Sequence, residues 1–329
     1  MSARARTYLV VALAAVAAAA VVVATVAFTR TSTGVGGSPH AQTTPTVRGR
    51  APVLALDLGV RTDPEAMALR HANRLYEGGK RAAAGRIFAR YQSLPARVGA
   101  ALAAWPRRSL ARLAGLAREH PSSALVLLHL GLAQLAVGQT KAAAASWRRA
   151  LGREPDTQSA VHADELLHPN FAPGLPPFLP SFTAPAAISR RSPPRQVAAL
   201  RRAAGAGGVR ARLLYGVALQ RLGRPVSAER EFATAARLAP DDPEALTAAD
   251  VGLFSKANPA RAFSRLGPLA RRFPRAQTVH FHLGVMLLWL RDVREARRQL
   301  RLARVEGPKT RLGRTATAFL KQLHAIRTK

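Results

Sequence analysis

An internal period of 34 residues in the carboxy-terminal half constrains the fold of this chain more than any other feature. Three columns of residues repeat in one register at this interval: Pro240, Pro274 and Pro308; Ala228, Ala262 and Ala296; and Phe232, Leu266 and Leu300. Three columns in the same register do not arise by chance, even in a chain rich in Ala. A period of this length indicates repeated supersecondary units that stack along one shared core.

Each period predicts two amphipathic helices joined by a short turn. One unit, for example, has a first helix over 213–222, a turn over 223–225 and a second helix over 226–238. Small Ala residues let the two helices approach closely, and Gly permits a tight turn. A bulky Phe or Leu fills the gap between the helices, and Pro ends the second helix.

At these positions the chain resembles the tetratricopeptide repeat (TPR) family, whose unit is a helix-turn-helix of 34 residues. Three segments match its pattern of small residues, one bulky residue and a terminal Pro: Gly131, Gly138, Ala143, Trp147, Ala150 and Pro155; Gly216, Gly223, Ala228, Phe232, Ala235 and Pro240; and Gly284, Ala296, Leu300, Ala303 and Pro308. The segment 243–276 keeps the register but has Asp250 where a small residue is expected. The resemblance implies an all-α solenoid of about seven TPR hairpins plus a capping helix.

The repeat register also divides the chain. Between the repeat that ends near residue 157 and the one that starts at 209 lie 51 residues, which is one repeat of 34 plus an insertion of 17. We predict these boundaries: a cytoplasmic basic tail (1–7), a transmembrane signal-anchor (8–28), a flexible linker (29–62), amino-terminal TPR repeats (63–157), an expanded repeat (158–208) with a Pro- and Phe-rich insertion (170–194), three TPR repeats (209–310) and a capping helix (311–329).

The amino-terminal segment predicts a membrane anchor. Residues 8–28 contain no charge and consist almost entirely of Ala, Val and Leu, and as a helix they would span about 30 Å of hydrocarbon. A cleaved signal peptide has a shorter apolar stretch with a cleavage site just after it, so an uncleaved transmembrane helix is favoured. A cleaved signal and a buried core helix remain the alternatives.

The charges beside this segment predict its orientation. Arg4 and Arg6 precede it, which favours a cytoplasmic tail and an extracytoplasmic solenoid on a single-pass protein of the cytoplasmic membrane. Arg30, Arg48 and Arg50 on the far side reduce this asymmetry, so the inverted orientation stays open.

The family binds peptides or partner helices along a concave surface, which the first helix of each repeat lines. Carried over by position, this resemblance implies a protein or peptide partner. The implied groove residues are Leu128, Leu132, Leu213, Val217, Gln220, Thr247, Val251, Phe254, Phe281, Val285 and Leu288. Most are apolar, and the Lys, Arg and Asn set with which some members bind a C-terminal carboxylate is not evident.

An apolar groove of this size is not expected to face water unoccupied. A partner segment could fill it. The chain's own insertion could also fold back into it, through the plug residues Phe171, Leu175, Phe178, Leu179 and Phe182. We hypothesise that the plug competes with the partner. The alternative is that the insertion packs on the outside of the solenoid or against the membrane.

Positive charge suggests a second kind of partner. The chain has 50 Lys and Arg against 18 Asp and Glu, a net charge of +32. Because 44 of the 50 are Arg, much of this charge is typical of a GC-rich bacterial genome. One basic face, Arg291, Arg294, Arg298 and Arg301, could bind anionic lipids or envelope polymers. The alternative is a solvated helix face, and nucleic acid is unlikely because no aromatic residues are interleaved.

Catalytic signals are weak. The absence of Cys excludes disulfides, thiol nucleophiles, iron–sulfur clusters and Cys zinc sites. His162, Glu165 and His168 are three residues apart but lack the spacing of zinc hydrolases. We therefore predict no catalytic, cofactor or metal site, and a membrane-anchored, non-catalytic scaffold or adaptor. The alternatives are an Arg-rich docking module and an assembly factor for an envelope enzyme complex, by analogy with membrane-tethered TPR subunits of cytochrome c maturation.

Overall fold

The computed structural model describes residues 50–327, and every regular element in that range is a helix. The sixteen helices of this range are α1 (Pro64–Glu77), α2 (Arg81–Phe88), α3 (Leu94–Ala103), α4 (Ser109–Glu119), α5 (Ala124–Ala136), α6 (Thr140–Arg153), α7 (Gln158–Leu167), α8 (Ala186–Ser189), α9 (Pro193–Gly205), α10 (Val209–Arg221), α11 (Pro225–Leu238), α12 (Pro243–Gly252), α13 (Ala260–Arg272), α14 (Gln277–Trp289), α15 (Val293–Glu306) and α16 (Arg311–Arg327). The all-α class predicted from the sequence is confirmed for this range.

The predicted cytoplasmic tail and transmembrane segment, and the first part of the linker, lie outside the described residues. Within residues 50–327, no helix combines the length and the apolar character needed to cross a membrane. The membrane anchor over 8–28 therefore stays a prediction.

The described chain forms two compact units, each with its own hydrophobic core. The amino-terminal unit contains α1–α7, in which α1 packs on α2, α3 on α4, and α5 on α6. The first helices of these hairpins also contact one another in series, from α1 to α3 to α5, so they form one continuous inner face. The helix α7 closes the unit against α6 and α5. Its most completely buried large side chains include Leu69, Phe88 and Leu113.

The carboxy-terminal unit, which contains α8–α16, repeats this arrangement. The hairpins are α10 with α11, α12 with α13, and α14 with α15, and their first helices again contact one another in series. The helix α9 packs on α10 at one end, and α16 packs on α15 and α14 at the other. The core includes Phe232, Leu266 and Leu300, the three bulky residues of the period of 34.

Each unit thus has three hairpins. The helices α7 and α9, predicted to be the two halves of one expanded repeat, belong to different units. The insertion between them belongs to the carboxy-terminal unit. The plug residues therefore make their contacts within this unit.

Close contact between paired helices explains the repeat pattern. A Cβ placed on Gly131 would lie 2.3 Å from Nε1 of Trp147, and one on Gly216 would lie 2.3 Å from Cε1 of Phe232. In each pair the bulky side chain stands sixteen residues after the glycine and fills the space that the missing Cβ leaves. The Trp147 indole also donates a hydrogen bond to the Leu128 carbonyl at 3.2 Å, which satisfies its buried N–H.

Asp250 occupies the position in this register that Gly216 and Gly284 occupy in the neighbouring repeats. Its side chain is buried, and burial raises its carboxyl pKa from 3.8 to about 6. A nearby Arg265 charge acts in the opposite direction but is the smaller effect. The unit therefore accommodates a carboxyl where the pattern predicts a small residue.

Candidate functional site

The inner face of the carboxy-terminal unit is covered by the insertion. Seven predicted groove residues and two plug residues belong to one buried cluster: Leu213, Val217, Val251, Phe254, Phe281, Val285, Leu288, Phe178 and Leu179. The other three plug residues, Phe171, Leu175 and Phe182, are partly buried against the same cluster. Thr247 is also buried, and Gln220 is half-buried. The insertion therefore packs on the face that the sequence predicted to be a groove.

The two remaining groove residues lie elsewhere. Leu128 and Leu132 belong to the core of the amino-terminal unit and are at most 2% exposed. The structure therefore does not bring them together with the other nine. They support the packing of α5 in its own unit rather than an open surface.

Phe178 is the most deeply buried plug residue, with 1% of its surface exposed. Its ring stacks on the His282 imidazole with centroids 4.8 Å apart and planes inclined by 22°. A second contact is edge-to-face with Phe232, with centroids 5.5 Å apart. Because Phe232 is a bulky repeat residue of α11 and His282 lies on α14, the slot for Phe178 is built from the solenoid itself.

Hydrogen bonds hold the backbone of the insertion. The Phe178 N–H donates to Oε1 of Gln220 at 3.0 Å, and the Leu179 N–H donates to Nε2 of His282 at 2.9 Å. Ser181 donates both its backbone N–H and its hydroxyl to the Glu244 carboxylate. Through these bonds, α10, α12 and α14 all contact one extended stretch of chain.

Prolines on both sides of Phe178 and Leu179 reduce the number of backbone N–H groups that need a hydrogen-bond acceptor. Residues 176–180 read Pro-Pro-Phe-Leu-Pro, so Phe178 and Leu179 carry the only two N–H groups in this stretch. Both are paired, and the flanking Pro176 and Pro180 are buried. The stretch therefore enters an apolar face without leaving an N–H unpaired, which would otherwise cost free energy.

Further contacts surround this central stretch. Phe171 packs edge-to-face with Phe254, with centroids 6.4 Å apart. The Arg210 guanidinium lies 5.2 Å from the centre of the Phe182 ring, within the range of a cation–π interaction. At the start of the insertion, the Asn170 carbonyl accepts a hydrogen bond from the Arg291 guanidinium.

The hydrogen bonds of His282 determine its protonation. Its Nδ1 lies 2.6 Å from the Thr278 carbonyl, which can only accept, so Nδ1 carries the proton. Its Nε2 is then free to accept the Leu179 N–H. Burial lowers the His282 pKa from 6.5 to about 4, which keeps the ring neutral at physiological pH. Burial also raises the pKa of Glu244, while its bonds from Ser181 lower it.

Sequence reasoning missed His282 as a binding residue. The signal was a polar residue inside the apolar inner helix α14, two positions before the repeat glycine Gly284. His280, on the same helix, has different partners: its Nδ1 lies 2.7 Å from Oε1 of Gln299 and its Nε2 lies 3.3 Å from Oε1 of Glu306.

The predicted basic face is smaller than expected. Arg294, Arg298 and Arg301 are exposed on α15, and Arg298 forms an ion pair with Glu295 at 3.6 Å. Arg291, however, lies before α15, which begins at Val293, and has a positive φ of 64°. The helical spacing that placed it on the same face was therefore wrong, because the turn between α14 and α15 interrupts the helix.

Within residues 50–327, no group of three His, Asp or Glu side chains is placed to hold a metal ion. His162 and Glu165 lie on α7, whereas His168 follows the end of that helix at Leu167. The His168 ring contacts Phe171 edge-to-face at 6.4 Å. His168 therefore does not share one helical face with the other two.

No protein-family model and no curated protein matches the chain. Its similarities to solved structures include the protein YrrB, described as a TPR protein with an unusual peptide-binding site, at 16% identity and a TM-score of 0.31 over 63% of this chain and 97% of that one. A TPR protein from Parabacteroides merdae has 14% identity and a TM-score of 0.34, over 79% of this chain and 98% of that one. The TPR2AB domain of yeast Sti1 in a pHSP90 complex has 12% identity and a TM-score of 0.28, over 80% and 98%.

Proposed function

We propose that this protein is a non-catalytic, membrane-anchored scaffold whose carboxy-terminal unit binds an extended segment of a partner protein on the face that residues 170–182 occupy. The observation that carries the proposal is the pairing of the Phe178 and Leu179 N–H groups with Gln220 and His282. These bonds involve only backbone atoms of the insertion, so a segment of another chain could make the same bonds.

The side-chain contacts define the chemistry of the partner segment. The slot between Phe232 and His282 accepts an aromatic ring, and the next position accepts an aliphatic side chain, as Leu179 is 3% exposed. Flanking prolines suit the site because they fix an extended backbone and remove N–H groups that would lack partners. We therefore expect an extended segment with adjacent Phe and Leu bounded by prolines, and not a helix, whose N–H groups are already paired within the helix.

The insertion would then act as an internal competitor. It is joined to the unit at both ends, so its effective concentration at the face is high and a partner must displace it. The apparent affinity for the partner falls in proportion to the fraction of molecules whose face is free. Removing the insertion should therefore strengthen binding.

A peptide with the chain's own sequence tests this proposal without knowledge of the partner. In the chain of 329 residues, residues 170–184 are replaced by a Gly-Ser linker of equal length, and a labelled peptide of residues 168–185 is titrated by fluorescence anisotropy. We expect saturable binding that is at least about tenfold tighter than to the unaltered chain. Equal affinity for the two proteins, or no binding to the linker variant, would overturn the proposal.

Matched controls distinguish binding at this face from non-specific hydrophobic binding. A peptide with Phe178→Ala should lose most of its affinity, because the ring supplies the buried contacts. If the linker variant does not fold, the double variant Phe178→Ala with Leu179→Ala keeps the insertion but weakens its hold, and it should bind the unaltered peptide more tightly than the native chain does.

The membrane anchor and its orientation need a separate experiment. Because the chain has no Cys, a single Cys can be introduced at Ser32 or at Val305, which is 72% exposed on α15. Labelling of both from outside intact cells would support an extracytoplasmic solenoid. Labelling of both only after lysis would invert the orientation.

The exposed arginines of α15 support a second candidate function, the docking of anionic lipids or envelope polymers. Arg294, Arg298 and Arg301 are all exposed. Arg301 lies farthest along α15 from Glu295, which forms an ion pair with Arg298. Binding to phosphatidylglycerol vesicles should then fall steeply with salt and be lost when all three are changed to Gln. Vesicle binding that is unchanged in this triple variant would rule out the face.

A further inference from the structure

A second histidine, in the amino-terminal unit, binds an extended stretch of chain in the same way as His282. His129 lies on α5, the first helix of its hairpin, and stands two residues before the repeat glycine Gly131. His282 lies on the first helix α14, two residues before Gly284. The two histidines therefore occupy the same position of the repeat.

Their hydrogen bonds match in type and length. The Nδ1 of His129 lies 2.7 Å from the carbonyl oxygen of Leu125, four residues earlier. In the same way, the Nδ1 of His282 lies 2.6 Å from the carbonyl oxygen of Thr278, also four residues earlier. The carbonyl fixes the proton on Nδ1, so Nε2 is an acceptor. The Nε2 of His129 accepts the N–H of Ala55 at 3.0 Å, as that of His282 accepts the N–H of Leu179 at 2.9 Å.

The chain that His129 holds is an extended segment over residues 51–58. Its Leu54 and Leu58 are 2% and 6% exposed within the core of the amino-terminal unit. A second backbone contact comes from Tyr76, whose hydroxyl donates to the Pro52 carbonyl at 2.5 Å. Because Tyr76 lies on α1 and His129 on α5, the segment lies along first helices, as the insertion does in the other unit.

Of the three first helices of the carboxy-terminal unit, α14 alone carries a histidine at this repeat position, whereas α10 and α12 contact the insertion through Gln220 and Glu244. In the carboxy-terminal unit, the corresponding positions of the other two first helices carry Leu214 and Ala248, which have no side-chain acceptor. An apolar inner helix does not need a buried imidazole for its own packing, since α5 is otherwise almost entirely aliphatic. The acceptor on His129 is therefore accounted for by the backbone N–H that it receives.

We propose that the amino-terminal unit is a second binding site for an extended protein segment, in which a partner segment with leucines four residues apart takes the place of residues 51–58. The location of the present occupant supports exchange. It precedes α1 and is joined to it through a turn at Gly59, whose φ of 51° suits glycine. Its exchange would break the ion pair of Asp57 with Arg224 at 2.8 Å, but it would leave the N-cap of α1, Asp63, in place.

The test uses the full-length chain with residues 51–58 replaced by a Gly-Ser stretch of equal length. A labelled peptide of residues 50–60 is titrated by fluorescence anisotropy. We expect saturable binding, a loss of at least about tenfold with His129→Leu, and a loss of less than about threefold with His129→Gln, whose amide oxygen can still accept an N–H. No binding, or equal binding to the Leu and Gln variants, would overturn the proposal.

Two controls test whether binding depends on the two leucines and on this site alone. A peptide in which Leu54 and Leu58 are both Ser should not bind. The peptide of residues 168–185 should be unaffected by His129→Leu, so failure at one site is distinguishable from failure at the other. Sedimentation of the native chain tests the alternative occupant, a second copy: a dimer that the peptide of residues 50–60 dissociates would show exchange between copies and overturn the partner assignment.

If the Gly-Ser variant does not fold, hydrogen exchange in proteins that keep residues 51–58 tests whether His129 binds the backbone of this segment. The Ala55 amide should exchange slowly in the unaltered protein and in His129→Gln. In His129→Leu it should exchange at least about tenfold faster, while the amides of α5 stay protected. Equal protection of Ala55 in both variants would contradict a backbone-binding role for His129.

Discussion

Single side chains decide whether the inner faces of the two units can hold an extended backbone. His129 and His282 must be neutral to accept an N–H through Nε2, and burial favours this state by lowering both pKa values from 6.5 to about 4. A nearby His162 lowers the pKa of His129 further, while the ring of Phe178 on His282 is uncharged. Both histidines are therefore acceptors at neutral pH.

These shifts give an expected pH dependence. Because the pKa values are lower in the folded state, the unfolded chain binds more protons between about pH 6.5 and pH 4. The stabilisation is complete above pH 6.5 and is lost as the pH falls towards 4, by at most about 3 kcal/mol per histidine. Urea unfolding at pH 7.5 and 5.0 measures the loss.

The variant His282→Gln is the control for this pH dependence. It keeps an acceptor but cannot titrate, so the loss on acidification should be smaller than in the unaltered chain. Glu244 and Asp250 act in the opposite direction, since their pKa values are raised in the folded state. A loss that is identical in the variant would show that other groups cause the acid sensitivity.

The glycines that allow close helix contact give a second expectation at this scale. Gly131→Ala should destabilise the protein by about 1–3 kcal/mol, because the added Cβ meets the Trp147 ring at 2.3 Å. Gly115→Ala is the matched control on α4, where no atom lies within 4 Å, and it should be neutral or stabilising by about 0.5–1 kcal/mol. Thermal unfolding compares the two, and similar effects would argue against a packing role for Gly131.

At the scale of an element, the start of α12 depends on one capping side chain. Asp242 accepts the Glu244 N–H at 2.9 Å, and Pro243 follows as the first helical residue. Asp242→Ala should cost about 1 kcal/mol, since the helix loses a partner for one of its first N–H groups. The neighbouring Asp241→Ala removes only an exposed contact with Arg272 and should have little effect. Chemical denaturation of both variants tests the difference.

The insertion is an element without regular structure over most of its length, apart from the short α8. Its position depends on one buried ring, two backbone N–H groups and the bonds of Ser181 to Glu244. Such a segment has few hydrogen bonds of its own, so it belongs to the least stable part of the unit. This property fits a segment that a partner displaces.

At the scale of the whole molecule, two separate cores imply separate responses to mutation. Phe178→Ala should weaken the packing of the insertion on the carboxy-terminal unit by about 3–5 kcal/mol, because a large buried side chain is lost. Hydrogen exchange followed by mass spectrometry should show faster exchange in α10–α15 and little change in α1–α6. The reason is that each repeat of a repeat array is stabilised by the repeats that it contacts directly. Phe182→Ala, at a half-buried ring, should have a smaller effect in the same region. Uniform acceleration across both units would contradict two separate cores.

The sequence alone predicted the features that come from local spacing. Helical pairs, their approximate bounds and a bulky residue such as Phe232 between the two helices of a pair follow from the period of 34, because residues at fixed separations along a helix share a face. The same logic failed for Arg291, where a turn interrupts the helix. The single expanded repeat over 158–208 was inferred from length and stays a prediction, and its two helices belong to different units.

Only the tertiary structure decided what covers the inner faces. The bond from Leu179 to His282 joins residues 103 positions apart, and the bond from Ala55 to His129 joins residues 74 apart. No periodicity links such positions, since each segment is extended and meets a helix from a different part of the chain. The local pattern therefore determined the helices and their apolar faces, and the folded chain determined which of its own segments those faces hold.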